Sequence, residues 1–159
     1  VVDLVPRAAA LVQSLALKPH PEGGYYGEVF RSATQVPTAR GPRAALTTID
    51  FLLGAGQFSA WHRVRSDEVW HLLEGGPLRL WLLPPDLGRV EQVDLGAGAP
   101  PRHVVPADWW QAAEPLGDFA YVGATVAPGF DFADFSFGRD EAPLGATLAR
   151  LAPGLQRLL

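Results

Sequence analysis

The sequence predicts an all-β fold, an antiparallel sandwich or barrel with short helices only near its two ends. Two observations carry this expectation: nine runs of strand length rich in Val, Ile, Leu, Phe, Thr and Trp, and the turn-forming clusters that separate them. Glycine and proline supply 17 and 15 of the 159 residues, gathered at places such as 39–42, 84–88 and 96–101. The first element reads as a helix, because Ala8, Leu11, Val12 and Leu15 follow the spacing of one helical face and Pro6 suits a first turn. The strands then follow at 25–31, 45–53, 58–64, 68–73, 78–83, 89–95, 103–105, 109–113 and 119–126. A last helix is expected where Leu144, Leu148 and Leu151 form a short apolar stripe that Pro153 should end.

Length and composition bound what such a chain can be. Residues 1–159 suffice for one domain with a buried core and no staples, while two domains would be cramped. With 48% hydrophobic and 19% charged residues the chain reads as globular. A net charge of -4 argues against a nucleic-acid partner, which would demand a basic face for the phosphates. The absence of cysteine excludes disulfides, thiolate metal sites and cysteine nucleophiles. No apolar run approaches the roughly 20 residues of a membrane span, and no basic segment leads into an apolar one at the start. The expectation is a cytoplasmic protein with no membrane partner.

Strand alternation decides where the chemistry points. In 58–64 the side chains of Phe58, Ala60, His62 and Val64 share one face, with Ser59, Trp61 and Arg63 on the other. His62 is thereby expected on the apolar, inward face. After the turn at 65–67, Glu68, Trp70 and Leu72 share a face, so an imidazole and a carboxylate are expected to meet inside the barrel. Burying both costs several kcal/mol, on the order of a lost ion pair, unless they are paired, hydrogen-bonded or metal-bound. A structural His–Glu contact that merely closes the turn satisfies the same spacing.

Here the sequence becomes specific. Gly56, His62, Val64, Glu68 and Gly75 resemble, in every spacing, the first motif of the cupin superfamily, and Pro106, Asp108 and Gln111 fall where its second motif lies. In the metal-binding members Val64 and Gln111 would be histidines, so only His62 and Glu68 match the ligand set that the resemblance implies. PHPEGGYY at 19–26, Arg31-Ser32, SAWHRVRSDEVWHLLEG at 59–75, VVPADWWQAA at 104–113 and VAPGFDFADF at 126–135 are similar to one cupin family, a domain of unknown function. The resemblance covers nearly the whole chain. It implies a cupin jelly-roll barrel, a ligand cavity inside it and a homodimer. It implies no reaction.

The remaining motifs divide between cavity and scaffold. Gly23 and Gly24 read as a tight turn into the first strand rather than a phosphate loop, since no lysine or helix follows. Glu22 is a candidate to reach the barrel mouth and touch ligand. His20, between prolines, reads as a solvated loop residue, and His71, opposite Glu68 by alternation, as an outer-surface or dimer-contact residue. His103 reads as structural. Trp70 and Trp109 are expected to wall the cavity with Gln111, as flat surfaces for a ring or sugar face. Phe130 and Phe132 are expected to close one barrel end, with Asp131 and Asp134 as surface or capping residues. Trp61 and Trp81 are expected outside the barrel as a dimer patch.

Three functions follow as expectations. The first is a cavity for a small polar metabolite (a sugar, nucleotide-sugar or carboxylic acid), with isomerisation or epimerisation as the reaction. His62 would accept the proton, Glu68 would orient or polarise it, and Tyr26 or Tyr121 would serve as the acid on the opposite face. No cofactor and no tightly bound transition metal are expected. The second is a metal-dependent enzyme on His62, Glu68 and Gln111, weakened because an amide is a poorer donor than imidazole. The third is a binding protein without catalysis.

Overall fold

The computed structural model describes residues 3–159, so the first two residues of the domain expected at 1–159 lie outside the described residues. Helix α1 (Pro6–Ser14) opens the chain. It is followed by β1 (Lys18–Pro19), β2 (Tyr25–Arg31), β3 (Gln35–Val36), β4 (Arg43–Ala44), β5 (Thr47–Gly54), β6 (Ser59–Val64), β7 (Asp67–Gly75) and β8 (Leu78–Leu83). Then come β9 (Glu91–Leu95), β10 (Arg102–Val105), β11 (Trp110–Pro115), β12 (Phe119–Ala127) and β13 (Phe135–Phe137), and finally α2 (Ala142–Leu151) and a 3-10 turn (Pro153–Leu158). Each of the nine expected strands is present, with ends moved by a few residues. Four short ones, β1, β3, β4 and β13, had too few residues to show a period of two.

Two antiparallel sheets face each other as a jelly-roll barrel. One runs β1-β2-β5-β12-β7-β10 and the other β13-β6-β11-β8-β9, with β3-β4 as a separate hairpin. Alternation turns Phe51, Leu53, Trp70, Leu78, Leu80, Leu82 and Val122 into one buried cluster between the sheets. Outside, the apolar stripe of α1 covers the six-stranded sheet, where Ala8 and Leu11 meet Leu52 with Tyr25 and Tyr121 packed alongside. The C-terminal segment covers the five-stranded sheet in the same way. Leu144, Leu148, Leu155 and Leu158 pack there on Trp61, Leu83 and Trp110.

That packing corrects the expected dimer patch. Trp61 does leave the barrel interior, but it is fully buried beneath α2 and the last turn, and its indole donates to the Leu155 carbonyl at 3.1 Å. Trp81 joins the edge of the same cluster. Their apolar surface is consumed by the chain itself, because a sheet face left apolar must be covered by something and here the nearest cover is the chain's own end. The homodimer expectation loses this ground.

Alternation also fails at one strand end. Gln111 lies opposite His62, but Ala113 lies opposite Ser59, so three residues of β6 span two of β11. This β-bulge rotates Ser59 to the face of Ala113 and Gln111, against the simple period. Among the described residues no helix is long and apolar enough to cross a membrane.

Because the indole of Trp61 is enclosed on every side, Trp61→Ala should lower unfolding free energy by about 3–5 kcal/mol in urea titration. A loss under about 1 kcal/mol would show that the C-terminal segment is not packed on this sheet.

Candidate functional site

A cavity of about 520 Å³ opens between the two sheets. Strand register builds its wall. On β6, His62 sits beside Gln111 of β11, while across the barrel Glu68 of β7 sits beside Val126 of β12, and Ile49 of β5 beside Ala124. Tyr26 and Glu28 enter from β2, and a bulge between Glu28 and Phe30 brings Arg31 back to the cavity side. The segment carrying Phe130, Asp131, Phe132 and Phe135 completes the lining. It is tied down by Asp134, whose carboxylate accepts from Arg40 Nε at 2.8 Å and from Arg43 Nε at 2.8 Å and Nη2 at 3.0 Å. The Arg43 hydrogen bonds, helped by Arg40, hold the Asp134 carboxyl below its ordinary range. Gly23 has φ +113, and a Cβ there would collide with the Phe58 carbonyl, so the turn that delivers Glu22 requires glycine.

The polar groups at the cavity's inner end form one connected set. His62 Nδ1 lies 2.7 Å from the Ala60 carbonyl, which can only accept, so Nδ1 carries the hydrogen and Nε2 is the bare nitrogen. The ring stacks on Phe135 with centroids 5.4 Å apart and an interplanar angle of 15°. Glu22 Oε2 is 3.2 Å from the same Nδ1, and Glu22 Oε1 accepts from Ser59 Oγ at 2.7 Å. Gln111 accepts from Trp70 Nε1 at 2.8 Å and donates to Glu68 Oε2 at 2.8 Å. Among the described residues Trp81 Nε1 is the one buried side-chain polar atom without a partner. His62, Glu68 and Glu22 all line the cavity, and His62 Nε2 and Glu68 Oε1 have no hydrogen-bond partner in the protein.

Burial sets the charges. It pushes Glu22 up to about 8, against a smaller opposing effect of the Ser59 hydrogen bond. It pushes Glu68 up to about 7, with the His62 interaction opposing and the Glu22 charge adding to the rise. Burial lowers His62, and only partly do Glu68 and the Ala60 hydrogen bond oppose it. At neutral pH Glu22 meets His62 chiefly as a neutral carboxyl, which is why so short a contact does little to charge the imidazole. His20 is lowered to about 4 by burial first and by His62 second.

Several expected positions are corrected. His20 is not a solvated loop residue: it lines the cavity, accepts the Glu22 N–H at Nδ1 and sets its ring edge-on to Tyr26 and Phe51. Tyr121 points to the outer face, where it packs near α1, donates to Asp50 at 2.8 Å and is pushed up to about 12 by burial and then by Asp50. Trp109 precedes β11, so alternation does not pair it with Gln111. It packs on the interior cluster beside Arg89 and is not part of the cavity lining. Trp70 and Gln111 lie directly behind Glu68 rather than on the cavity surface. Asp134 is a buried ion-pair anchor, not a surface residue. Asp131 does cap a 3-10 turn and also reaches the lining. Glu22, Tyr26, His62 and Glu68 all line the cavity. Glu28, Thr47 and Phe135 escaped the sequence reading, although the alternating phenylalanines of FDFADF carried a signal for the last.

The donor set does not fit the metal that the barrel type commonly carries. The Val64 isopropyl lines the cavity where an imidazole would be needed, and Gln111 has both ends of its amide committed. Among the described residues no group of three or more His, Asp or Glu is placed to hold an ion.

Comparison with known proteins agrees with this fold. The family described as Cupin superfamily (DUF985) matches residues 9–138. A solved structure described as a hypothetical protein from Leishmania major is 32% identical, with TM-score 0.79 over 95% of each chain. A crystal structure from Shewanella oneidensis is 31% identical, with TM-score 0.79 over 95% of this chain and 93% of that one. Oxalate decarboxylase from Bacillus subtilis is similar at 18% identity and TM-score 0.59, over 89% of this chain and 36% of its own, a likeness of fold alone. No curated protein matches.

The raised Glu22 carboxyl gives a pH-dependent stability. Its folded value of about 8 lies above the ordinary 4.5, so its contribution is complete below 4.5 and is lost as pH rises through about 8. His20 acts oppositely, contributing above 6.5 and losing that contribution as pH falls through about 4, so it is constant across the upper window. Glu22→Gln should therefore gain on the parent protein by roughly 5 °C in Tm from pH 6.5 to just above 8. A Tm difference that stays flat across that window would contradict the assignment.

Proposed function

This chain belongs to the cupin superfamily, in its DUF985 family, and from that premise we propose that its barrel binds a small polar metabolite and moves a proton on it, as an isomerase or epimerase. One observation carries the reading: a buried imidazole, with its Nδ1–H fixed on a backbone carbonyl, turns its bare Nε2 into a cavity shared with a half-ionised carboxyl. A neutral imidazole is a general base, and burial keeps it neutral at neutral pH.

Glu68 complements it. Because Oε2 accepts from Gln111, the proton of the acid form sits on Oε1, the oxygen that opens onto the cavity. With a value of about 7 the carboxyl is available in both forms at neutral pH. In the proposed step His62 Nε2 takes a proton from a carbon beside a carbonyl as the C–H electron pair moves into the carbonyl system. Glu68 gives its proton to the oxygen that gains charge. Return of a proton to the neighbouring carbon, or to the opposite face of the same carbon, completes isomerisation or epimerisation. Tyr26 is the phenol on the cavity wall available for that opposite face, and Tyr121, on the outer surface, is removed from the role. A positioned base of this kind contributes about 10²- to 10⁴-fold in rate.

Aromatic rings suit a sugar-like substrate. Phe130, Phe132 and Phe135 form a mutually edge-on cluster, with centroids 4.9 Å apart for the first two, on the cavity side that would cover a bound ring.

Sugars, nucleotide-sugars and carboxylic acids with an exchangeable C–H should be incubated with the protein in deuterium oxide and followed by mass spectrometry. A substrate should gain solvent deuterium at carbon, and His62→Asn should reduce the rate by at least about a hundredfold. Deuterium uptake that survives His62→Asn would dismiss His62 as the base. Saturable binding with neither exchange nor product would favour a binding protein without catalysis.

A further inference from the structure

The cavity's charge and hydrogen-bond inventory bears on what it can hold. Four carboxyl groups line it, on Glu22, Glu28, Glu68 and Asp131, against one guanidinium, on Arg31. That guanidinium is paired, with three of its five N–H groups engaged: its Nη2 and Nε donate to Glu28 at 2.7 and 3.4 Å, and its Nη1 donates to the Phe130 carbonyl at 3.0 Å. The His62 N–H is spent on Ala60, while the Thr47 hydroxyl oxygen accepts from the Phe130 N–H at 2.9 Å and keeps its own O–H to donate. An anion entering this cavity would find carboxyl groups and no uncommitted cation. At the inner end His62 Nε2, on a ring only 3% exposed, is a bare acceptor, and the carboxyl groups of Glu68 and Glu22 add acceptors once they give up their protons. Glu22 and Glu68 are both buried and line this cavity, the Glu22 charge makes Glu68 harder to ionise, and buried carboxyl groups so placed are relieved by a proton or a cation.

We propose that the cavity selects a metabolite bearing a primary ammonium group, seated against Glu22 and Glu68, with His62 Nε2 left to the neighbouring C–H. An ammonium has three N–H donors and no acceptor, the complement of this acceptor-rich end, and its charge offsets the ionisation of both acids. The aromatic cluster at Phe130, Phe132 and Phe135 adds ring surface that tolerates a cation and repels none. This deepens the reading of the cavity as a small-metabolite site and rests on it. Of the substrate classes compatible with that reading, it favours amino sugars and other amino-substituted polyols over carboxylic acids and nucleotide-sugars.

Three hexoses that share one ring test it: glucosamine, glucose and glucuronate. Methylammonium and acetate serve as fragments too small to be excluded by shape. Binding is followed through the imidazole resonances of His62 and His20 and by calorimetry. Glucosamine should bind at least about tenfold more tightly than glucose, methylammonium should shift the His62 resonance, and glucuronate and acetate should leave it unmoved. In Glu22→Gln combined with Glu68→Gln the preference for glucosamine over glucose should fall below about twofold, while the comparison in the parent protein needs no variant to fold. Glucose equal to glucosamine, or glucuronate or acetate moving His62, would overturn the charge assignment yet leave the small-metabolite reading intact. A parent protein in which no probe, methylammonium included, moves either histidine would overturn the ammonium seat.

Discussion

One buried side-chain amide joins the two sheets at the place where the chemistry sits. Gln111 is on β11 of the five-stranded sheet, while Trp70 and Glu68 are on β7 of the six-stranded one, so its two hydrogen bonds cross the barrel. Its orientation is forced, because an indole N–H can only donate and must meet the amide oxygen. The amide nitrogen is then left to Glu68. A fully buried amide with both ends satisfied costs little, whereas one with either end orphaned would cost about 1–3 kcal/mol. The two sheets are tied together here by pairing as well as by hydrophobic packing.

From this bridge the rest of the site follows. Because Glu68 spends one oxygen on Gln111, its other oxygen and any proton it carries face the cavity. Because both ends of the amide are engaged and Gln111 does not line the cavity, it is poorly placed to hold a metal, and the Val64 side chain has no donor atom. The inner end is thus a proton-handling surface made of His62, Glu68 and Glu22, with burial raising both carboxyls and lowering the imidazole. The cavity mouth is organised separately, by Asp134 drawing Arg40 and Arg43 onto the segment that carries the phenylalanines.

Much of this was legible because the chemistry rides on strands, where a period of two fixes the face. Alternation on β6 and β7 was enough to send His62, Glu68 and Trp70 inward, and paired glycines were enough to mark the turn beside Glu22. Phase was the weak point. Ser59 lies beyond a bulge in β6, which reverses the faces on one side of it without leaving a mark in a single sequence, whereas Tyr121 simply has the outward parity of a regularly alternating β12. Cover was the other. Trp61 and Trp81 read correctly as outside the barrel, but only tertiary structure shows that α2 and the last turn close over them. His20 and Asp134 were misread because loop polarity suggests solvent, whereas both are held inside by specific partners: the Glu22 amide for one and two arginines for the other.

The account turns on the state of one imidazole. Nitrogen-15 NMR of the His62 ring reads that state directly, since the shifts of Nδ1 and Nε2 separate the two neutral tautomers from the imidazolium. The structure predicts a neutral ring at neutral pH, hydrogen on Nδ1 and Nε2 bare, with half-protonation below the ordinary 6.5. An imidazolium at neutral pH, or a neutral ring with its hydrogen on Nε2, would leave no base facing the cavity and would contradict the account.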